Sequence, residues 1–343
     1  MSMIYYEADA NPAALAEQRI SVLGYGNIGR SIALNLQDSG HIVTIGNAED
    51  DYAEQASRDG FDVISIAEAA ATTTLKFLTV SDEVMPELYL TLISPSLKAG
   101  DSLVFTSGYN VAFGFIEPPP FVDVMLIAPR TTGIGVRESF RRGSGFPSFL
   151  AVSQDASGRA WDRLLAVALA LRTLKAGAME LTFRQEAELD LFTQQTILPA
   201  LHAFIQTAAD VLIKEGYPPE AVLLDLYASG ELGYVLDKAA QTGLQDSMRF
   251  LSQIAQYSIL SRIERYNEPK LRRQMETVLG EVRSGKFAQE WAMEYANGYL
   301  RLDSLRQRRA TSALWDMERQ TIEQFNRNDE PPDISDDRVE TSW

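Results

Sequence analysis

Cysteine is absent from the chain, and histidine occurs only twice, at His41 and His202. Without thiols there is no disulfide framework and no thiolate metal site. Two histidines also leave little scope for imidazole acid–base chemistry. Lys and Arg number 31 against 47 Asp and Glu, a formal net charge of −16. A polyanionic partner needs clustered cations, so nucleic acid is not expected. No run approaches about 18 uninterrupted apolar residues, and the opening MSMIYYEADANP lacks the basic and apolar regions of a secretory signal. The expectation is a cytoplasmic protein with no membrane partner. Length (343 residues) allows two domains, and 45% apolar with 23% charged residues suits a globular enzyme.

In the first half, short apolar runs alternate with helix-like stretches. Strands are predicted at 20–24, 41–46, 62–66, 75–80, 102–106 and 122–128, with a helix through Ser31–Leu36. This alternation predicts βαβ units and a parallel sheet. Pro118-Pro119-Pro120 suits an extended connection between the last two strands. From about Leu181 the pattern becomes amphipathic and helical, with helices expected at 186–214, 219–241, 244–266, 269–284 and 288–299. The expected organisation is a dinucleotide-binding domain over 1–182, an all-helical domain over 183–327, and a disordered acidic tail over 328–343.

Gly24-Tyr25-Gly26-Asn27-Ile28-Gly29 follows an apolar strand and opens a helix, the context a dinucleotide loop requires. Gly24 permits the tight turn, Gly26 lets the backbone approach a pyrophosphate, and Gly29 allows close helix–strand packing. The helix N-terminus faces the phosphate charge. Asn47, Glu49, Thr79, Asp82, Ser107 and Gly133, at the ends of later elements, complete the expected cofactor set. A 2′-phosphate calls for Arg or Lys after the second strand. That segment instead reads Gly46-Asn47-Ala48-Glu49-Asp50-Asp51, so NADH is favoured over NADPH. The alternative is a solvated acidic loop with an Arg arriving from elsewhere.

Several segments resemble ketol-acid reductoisomerase. They are Tyr5-Tyr6, the glycine loop, Leu34-Asn-Leu-Gln-Asp-Ser-Gly40, Ser107-Gly-Tyr-Asn-Val, Ile127-Ala-Pro-Arg, Gln154-Asp-Ala-Ser-Gly158, Glu188-Leu-Asp-Leu-Phe192 and Phe287-Ala-Gln-Glu-Trp291. They occur in order and span residues 5 to 310. The resemblance implies a Rossmann domain with a parallel sheet followed by a knotted all-helical domain, in the short-chain form of the family. It also implies a homodimer with shared active sites, two magnesium ions on acidic residues, and reduction by NADPH.

The catalytic positions depart from that pattern. Where the family places an Asp and a Glu four residues apart on one helix face, this chain has Asp190 and Gln194. An amide oxygen is a poor, uncharged substitute for a carboxylate around a hard dication. In the second helix Asp225 falls near the first expected acid and Ser229 near the second, unless a small insertion moves Glu231 into place. The expected histidine is Ser107 and the expected lysine is Arg130, which keeps the charge but stays protonated. These departures predict a repurposed site that needs no magnesium and does not perform acetolactate isomeroreduction.

What remains suits C=N better than C=O reduction. A ketone develops an oxyanion that wants a Lewis acid or general acid. An iminium accepts hydride and ends neutral, and a nearby carboxylate favours the cation. Asp190 is the expected iminium stabiliser or proton donor, with Ser107, Arg130 and Gln194 around it and Glu186, Asp225 and Ser252 as substrate candidates. Glu186, one turn before Asp190, either assists or is solvated. Ser107 is read as a nicotinamide or substrate partner, or else a loop hydroxyl. Arg130 is read as a carboxylate fork or an ion pair. His202, about 80° from Gln194 on a helical wheel, is a replacement acid or a core residue, and His41 is structural. The leading expectation is an NAD(P)H-dependent imine reductase of specialised metabolism. A ketone or keto-acid reductase without isomerase activity is the alternative, and a non-catalytic dinucleotide-binding partner protein the third reading.

Overall fold

A computed structural model describes residues 3–266 and 268–325. The chain divides into two compact units between Asp190 and Leu191.

The first unit is built on a nine-stranded sheet. Its strands are β1 (Ile4–Tyr5), β2 (Ile20–Leu23), β3 (Val43–Gly46), β4 (Asp62–Ile64), β5 (Leu75–Leu78), β6 (Ser102–Phe105), β7 (Asp123–Pro129), β8 (Ser148–Gln154) and β9 (Ala178–Glu180). Their order is β1-β9-β8-β7-β6-β5-β2-β3-β4. Strands β2 to β7 run parallel to one another, so connecting helices cover both faces. That is why β2, β5, β6 and β7 are continuously buried instead of alternating. Strands leave β2 in both directions, towards β3 and towards β5. This switch point leaves a crevice at the carboxyl ends of the strands, where ligands bind in open α/β sheets.

Three strands escape the sequence pattern. β8 runs antiparallel to β7 with a register shift at Val124/Met125. β9 and β1 have three and two residues, too short to show a period. Around the sheet lie α1 (Asn27–Asp38), α2 (Asp51–Arg58), α3 (Ile66–Thr72), α4 (Gly133–Arg142) and α5 (Ala160–Ala170). Two buried ion pairs pin the strands. Lys76 Nζ on β5 lies 2.9 Å from Asp101, and Arg163 on α5 lies 2.7 Å from Asp123 at the start of β7.

The helix α6 (Phe183–Gln195) crosses the division, and α7 (Ile197–Lys214) opens the second unit. One continuous helix was expected over 186–214. The break falls at Thr196 (φ −121°, ψ −64°), whose hydroxyl donates back to the Phe192 carbonyl at 2.6 Å. Pro199 cannot donate to the carbonyl four residues earlier, so the ladder lapses there. Gly230, at φ +80°, similarly divides the expected 219–241 helix after a wide turn over Leu224–Ala228. The expected 244–266 helix is three short pieces, Asp246–Phe250, Gln253–Leu260 and Ile263–Tyr266. Beyond the sequence prediction lie two more helices, Leu300–Ala310 and Ala313–Phe325. Ala209, Val222 and Leu223 form a small core with Leu314 and Met317. Phe204, Val211 and Leu198 on α7 are about half exposed.

The helical stretch Phe183–Lys214 is long and apolar enough to cross a membrane by length and composition alone. Its first turns carry Arg184, Glu186, Glu188 and Asp190, which pair within the first unit and do not suit a lipid environment. The tail expected over 328–343 lies outside the described residues.

Candidate active site

The glycine loop is held by its neighbours. Gly24 takes φ +100°, and a Cβ there would come 2.9 Å from the Val80 nitrogen. At Gly29 a Cβ would stand 2.0 Å from the Gly24 carbonyl oxygen, so only glycine lets α1 start against the turn. Gly26 is different: a Cβ there meets nothing within 4 Å. Gly26 also caps α1 without a side-chain hydrogen bond, leaving the first amides, beginning at Asn27 and Ile28, to serve an anion. Open space beside uncapped amides fits a pyrophosphate.

Several expected cofactor residues act on the loop itself. The Tyr25 side chain is buried against Phe61, and its hydroxyl donates to Asp59 at 2.8 Å. Arg30 pairs with the same carboxylate at 2.8 Å. Asn47 accepts from the Tyr25 backbone nitrogen at 2.9 Å and donates to Asp50 at 2.8 Å. Thr79 donates to the carbonyls of Leu23 and Gly24 at 3.0 and 2.7 Å. Gly133 packs under Asn27, where a Cβ would meet the Asn27 backbone at 2.7 Å. Asp50 caps α2 through the Ala53 nitrogen, whereas Glu49, in the loop after β3, is exposed.

A second cluster forms where the turns after β5, β6 and β7 meet α6. Ser107 Oγ donates to Asp82 Oδ2 at 3.0 Å and accepts from the Tyr109 nitrogen at 3.2 Å. Asn110 Nδ2 donates to the Asp82 carbonyl and to Asp82 Oδ1, both at 3.0 Å. Burial pushes the Asp82 carboxyl up to about 6, Ser107 and Asn110 opposing that rise and Glu83 and Asp190 adding to it. The Gly108 nitrogen donates to Glu186 Oε2 at 2.7 Å. Glu186 is only 2% exposed, so the solvated alternative read from sequence gives way to a buried one. Its carboxyl is pushed up to about 7, mainly by burial, against the lowering effects of Gly108 and Arg130.

Arg130 links two of the three acids of α6, Glu186 and Asp190. It lies 3.5 Å from Glu186 and 3.2 Å from Asp190. Its guanidinium also stacks over Phe149, 5.0 Å from the ring centroid, which fixes the plane of the fork. Asp190 is the more open of the pair, its side chain 40% exposed.

The donors on α6 differ from the two carboxylates four residues apart that the resemblance implies. The carboxylate that could serve, Asp190, already carries a guanidinium, and the position four residues on is an amide. Among the described residues no three His, Cys, Asp or Glu side chains converge as a metal site. Gln194, His202, Asp225, Ser229 and Ser252 belong to the second unit. Gln194 and His202 line a cavity of ≈ 570 Å³ with Leu198, Tyr227 and Trp315. Asp225 is exposed in the Leu224–Ala228 turn. Ser229 Oγ accepts from the Glu231 nitrogen. Ser252 caps the Gln253–Leu260 helix through the Ala255 nitrogen. His41 is partly buried, which lowers its pKa.

Sequence reasoning missed Asn110, Gly108, Glu83 and Phe149. Asp82-Glu83 gave a usable signal, being acids at the carboxyl end of a parallel strand.

The NADPH-binding domain model of acetohydroxy acid isomeroreductase matches residues 14–177, and the C-terminal domain model of ketol-acid reductoisomerase matches residues 183–326. A provisionally named third ketol-acid reductoisomerase of Saccharolobus solfataricus is 40% identical over 298 residues, covering 85% of this chain and 89% of its own. The ketol-acid reductoisomerase (NADP(+)) of Methanopyrus kandleri is 37% identical over 310 residues, covering 90% and 93%. An NADH-preferring ketol-acid reductoisomerase from an uncultured archean superposes with TM-score 0.88 at 33% identity, covering 93% of this chain and 98% of its own.

Proposed function

The chain belongs to the ketol-acid reductoisomerase family, and from that premise we propose an NAD(P)H-dependent reductase of specialised metabolism that reduces a C=N bond without a divalent metal. The observation that carries this reading is the charge around Arg130. Glu186 and Asp190 contact the guanidinium, and Asp82 feels the charges of Glu83, Glu186 and Asp190. Unit charges about 4 Å apart interact by about 4 kcal/mol at an effective dielectric near 20. These four acids outnumber the one guanidinium that pairs with two of them. The cluster therefore favours a cationic acceptor such as an iminium and opposes an anionic keto acid.

Gly24, Gly26 and Gly29 with the α1 amides would hold the dinucleotide pyrophosphate, and the turns after β5 to β7 would receive the nicotinamide, which supplies hydride when bound. Phe149, Glu186 and Asp190 orient Arg130, which in turn positions Asp190 beside the acceptor. Glu49 is free to take a ribose 2′-hydroxyl, which supports NADH over NADPH. Glu49→Arg should raise the NADPH-to-NADH ratio of kcat/KM at least tenfold; no change would place cofactor choice elsewhere.

The apolar residues exposed on α7 support a homodimer in which a second copy covers them, and light scattering of the full chain tests it. The competing reading is keto-acid reduction, with or without isomerisation, as the relatives' names say of those proteins. Arg130, a cation of fixed charge, is the feature that favours it. NADH oxidation with cyclic imines, 2-keto acids and acetolactate, each with magnesium or EDTA, separates the readings. Imine turnover in EDTA supports ours, and magnesium-dependent acetolactate turnover alone would replace it.

A further inference from the structure

We propose that Ser107 hands a proton to the substrate nitrogen and that Asp82 controls when that proton is available, an inference that rests on the C=N reading above. A hydroxyl has one donor hydrogen and two acceptor sites. One acceptor site of Ser107 is filled by the Tyr109 nitrogen at 3.2 Å. The Asp82 Oδ2 contact at 3.0 Å then works in one of two directions. With Asp82 ionised, the Ser107 hydrogen is used on Oδ2 and none is left for a ligand. With Asp82 protonated, the acid donates to Ser107 Oγ and the serine hydrogen turns outward.

Asn110 decides which carboxyl oxygen carries the proton. Its Nδ2 donates to Asp82 Oδ1 and to the Asp82 carbonyl, both at 3.0 Å, so Oδ1 is held as an acceptor and Oδ2 remains for the proton. Asn110 is only 1% exposed and Ser107 is partly open, so the polar pair is gripped from behind and reachable in front. Charged and titratable groups around Asp82 are Glu83 on its own turn, Tyr109 beyond β6, and Glu186 and Asp190 on α6 with Arg130 between them. Their excess of negative charge, added to burial, keeps Asp82 protonated up to about pH 6.

The step balances. Ser107 would first give its proton to the imine nitrogen, forming the N–H bond of the iminium that the acidic cluster favours, as the Asp82 proton moves to Ser107 Oγ; the iminium carbon would then take the hydride of a bound dihydronicotinamide. The imine is reduced to an amine, the dinucleotide is oxidised, and Asp82 is left as a carboxylate that recovers its proton from water. Asp82 acts through Ser107 and is a positioning residue.

The test compares a protonatable cyclic imine with its N-alkylated iminium, which needs no proton. In wild type, kcat for the imine relative to the iminium should fall as pH rises through about 6. In Asp82→Asn and Ser107→Ala that ratio should drop at least tenfold at pH 6, and the difference from wild type should vanish above pH 8. Ser107→Thr, which keeps the hydroxyl, should restore the ratio to within threefold of wild type. NADH affinity of each variant, read by fluorescence, reports whether the fold is kept. An unchanged ratio in both Asp82→Asn and Ser107→Ala would overturn the relay while leaving C=N reduction standing. Failure of the wild type to reduce either substrate would overturn both.

Discussion

The Arg130 guanidinium lies 3.2 Å from the Asp190 carboxylate, with Glu186 on its other side at 3.5 Å. Three side chains from the β7 turn and two successive turns of α6 thus form a mixed cation–carboxylate cluster. A cation of fixed charge sits on the acid that a divalent metal would need. The same fork leaves one carboxylate, Asp190, facing outward with its charge partly balanced.

The proposed metal-free reading assigns the exclusion of magnesium to Arg130 and Gln194, so reversing both should let it bind. Arg130→Lys with Gln194→Glu should bind magnesium at least tenfold more tightly than wild type by calorimetry. Equal affinities would mean that the cation and the amide are not the determinants. An ionised carboxylate supplies the charge that a hard dication requires, which an amide cannot.

The glycine loop separates folding from binding. Gly29→Ala forces a methyl to within 2.0 Å of the Gly24 carbonyl. It should lower the melting temperature by several degrees, the effect of a core clash of roughly 1–3 kcal/mol. Gly26→Ala meets nothing within 4 Å and should keep the wild-type melting temperature while weakening NADH binding at least tenfold. Wild-type NADH affinity in Gly26→Ala would move the pyrophosphate away from this loop.

Burial raises the Glu186 carboxyl to about 7, so the folded state holds its proton more tightly than the unfolded chain does. The contribution to stability is full below the ordinary carboxylate range and is lost as pH climbs towards 7. Its size is on the order of 2 kcal/mol. Urea unfolding at pH 5 and pH 8 should show a loss of that order in wild type and a smaller one in Glu186→Gln. An identical pH dependence in the two proteins would rule out Glu186 as its source.

Much of the first unit was legible because parallel strands buried on both faces leave continuous apolar runs, as at Ile20–Leu23 and Leu75–Leu78. The glycine loop was legible because backbone geometry restricts Gly24 and Gly29 to glycine. Side-chain direction was not. Tyr25 stands inside the motif and Asn47 just after β3, yet they bind Asp59 and the loop's own backbone. Neighbours more than 20 residues away decide that. Glu186 shares a helix face with Asp190, but only the approach of Gly108 from another turn makes it a buried acid. Helix breaks at Thr196 and Gly230 were hidden because amphipathic periodicity continues across them.

The most direct test of the account is NADH oxidation by the purified full chain with a cyclic imine in excess EDTA. We expect turnover that is unchanged within twofold on adding magnesium, with little or none on acetolactate. Strict magnesium dependence, or turnover of acetolactate alone, would contradict it.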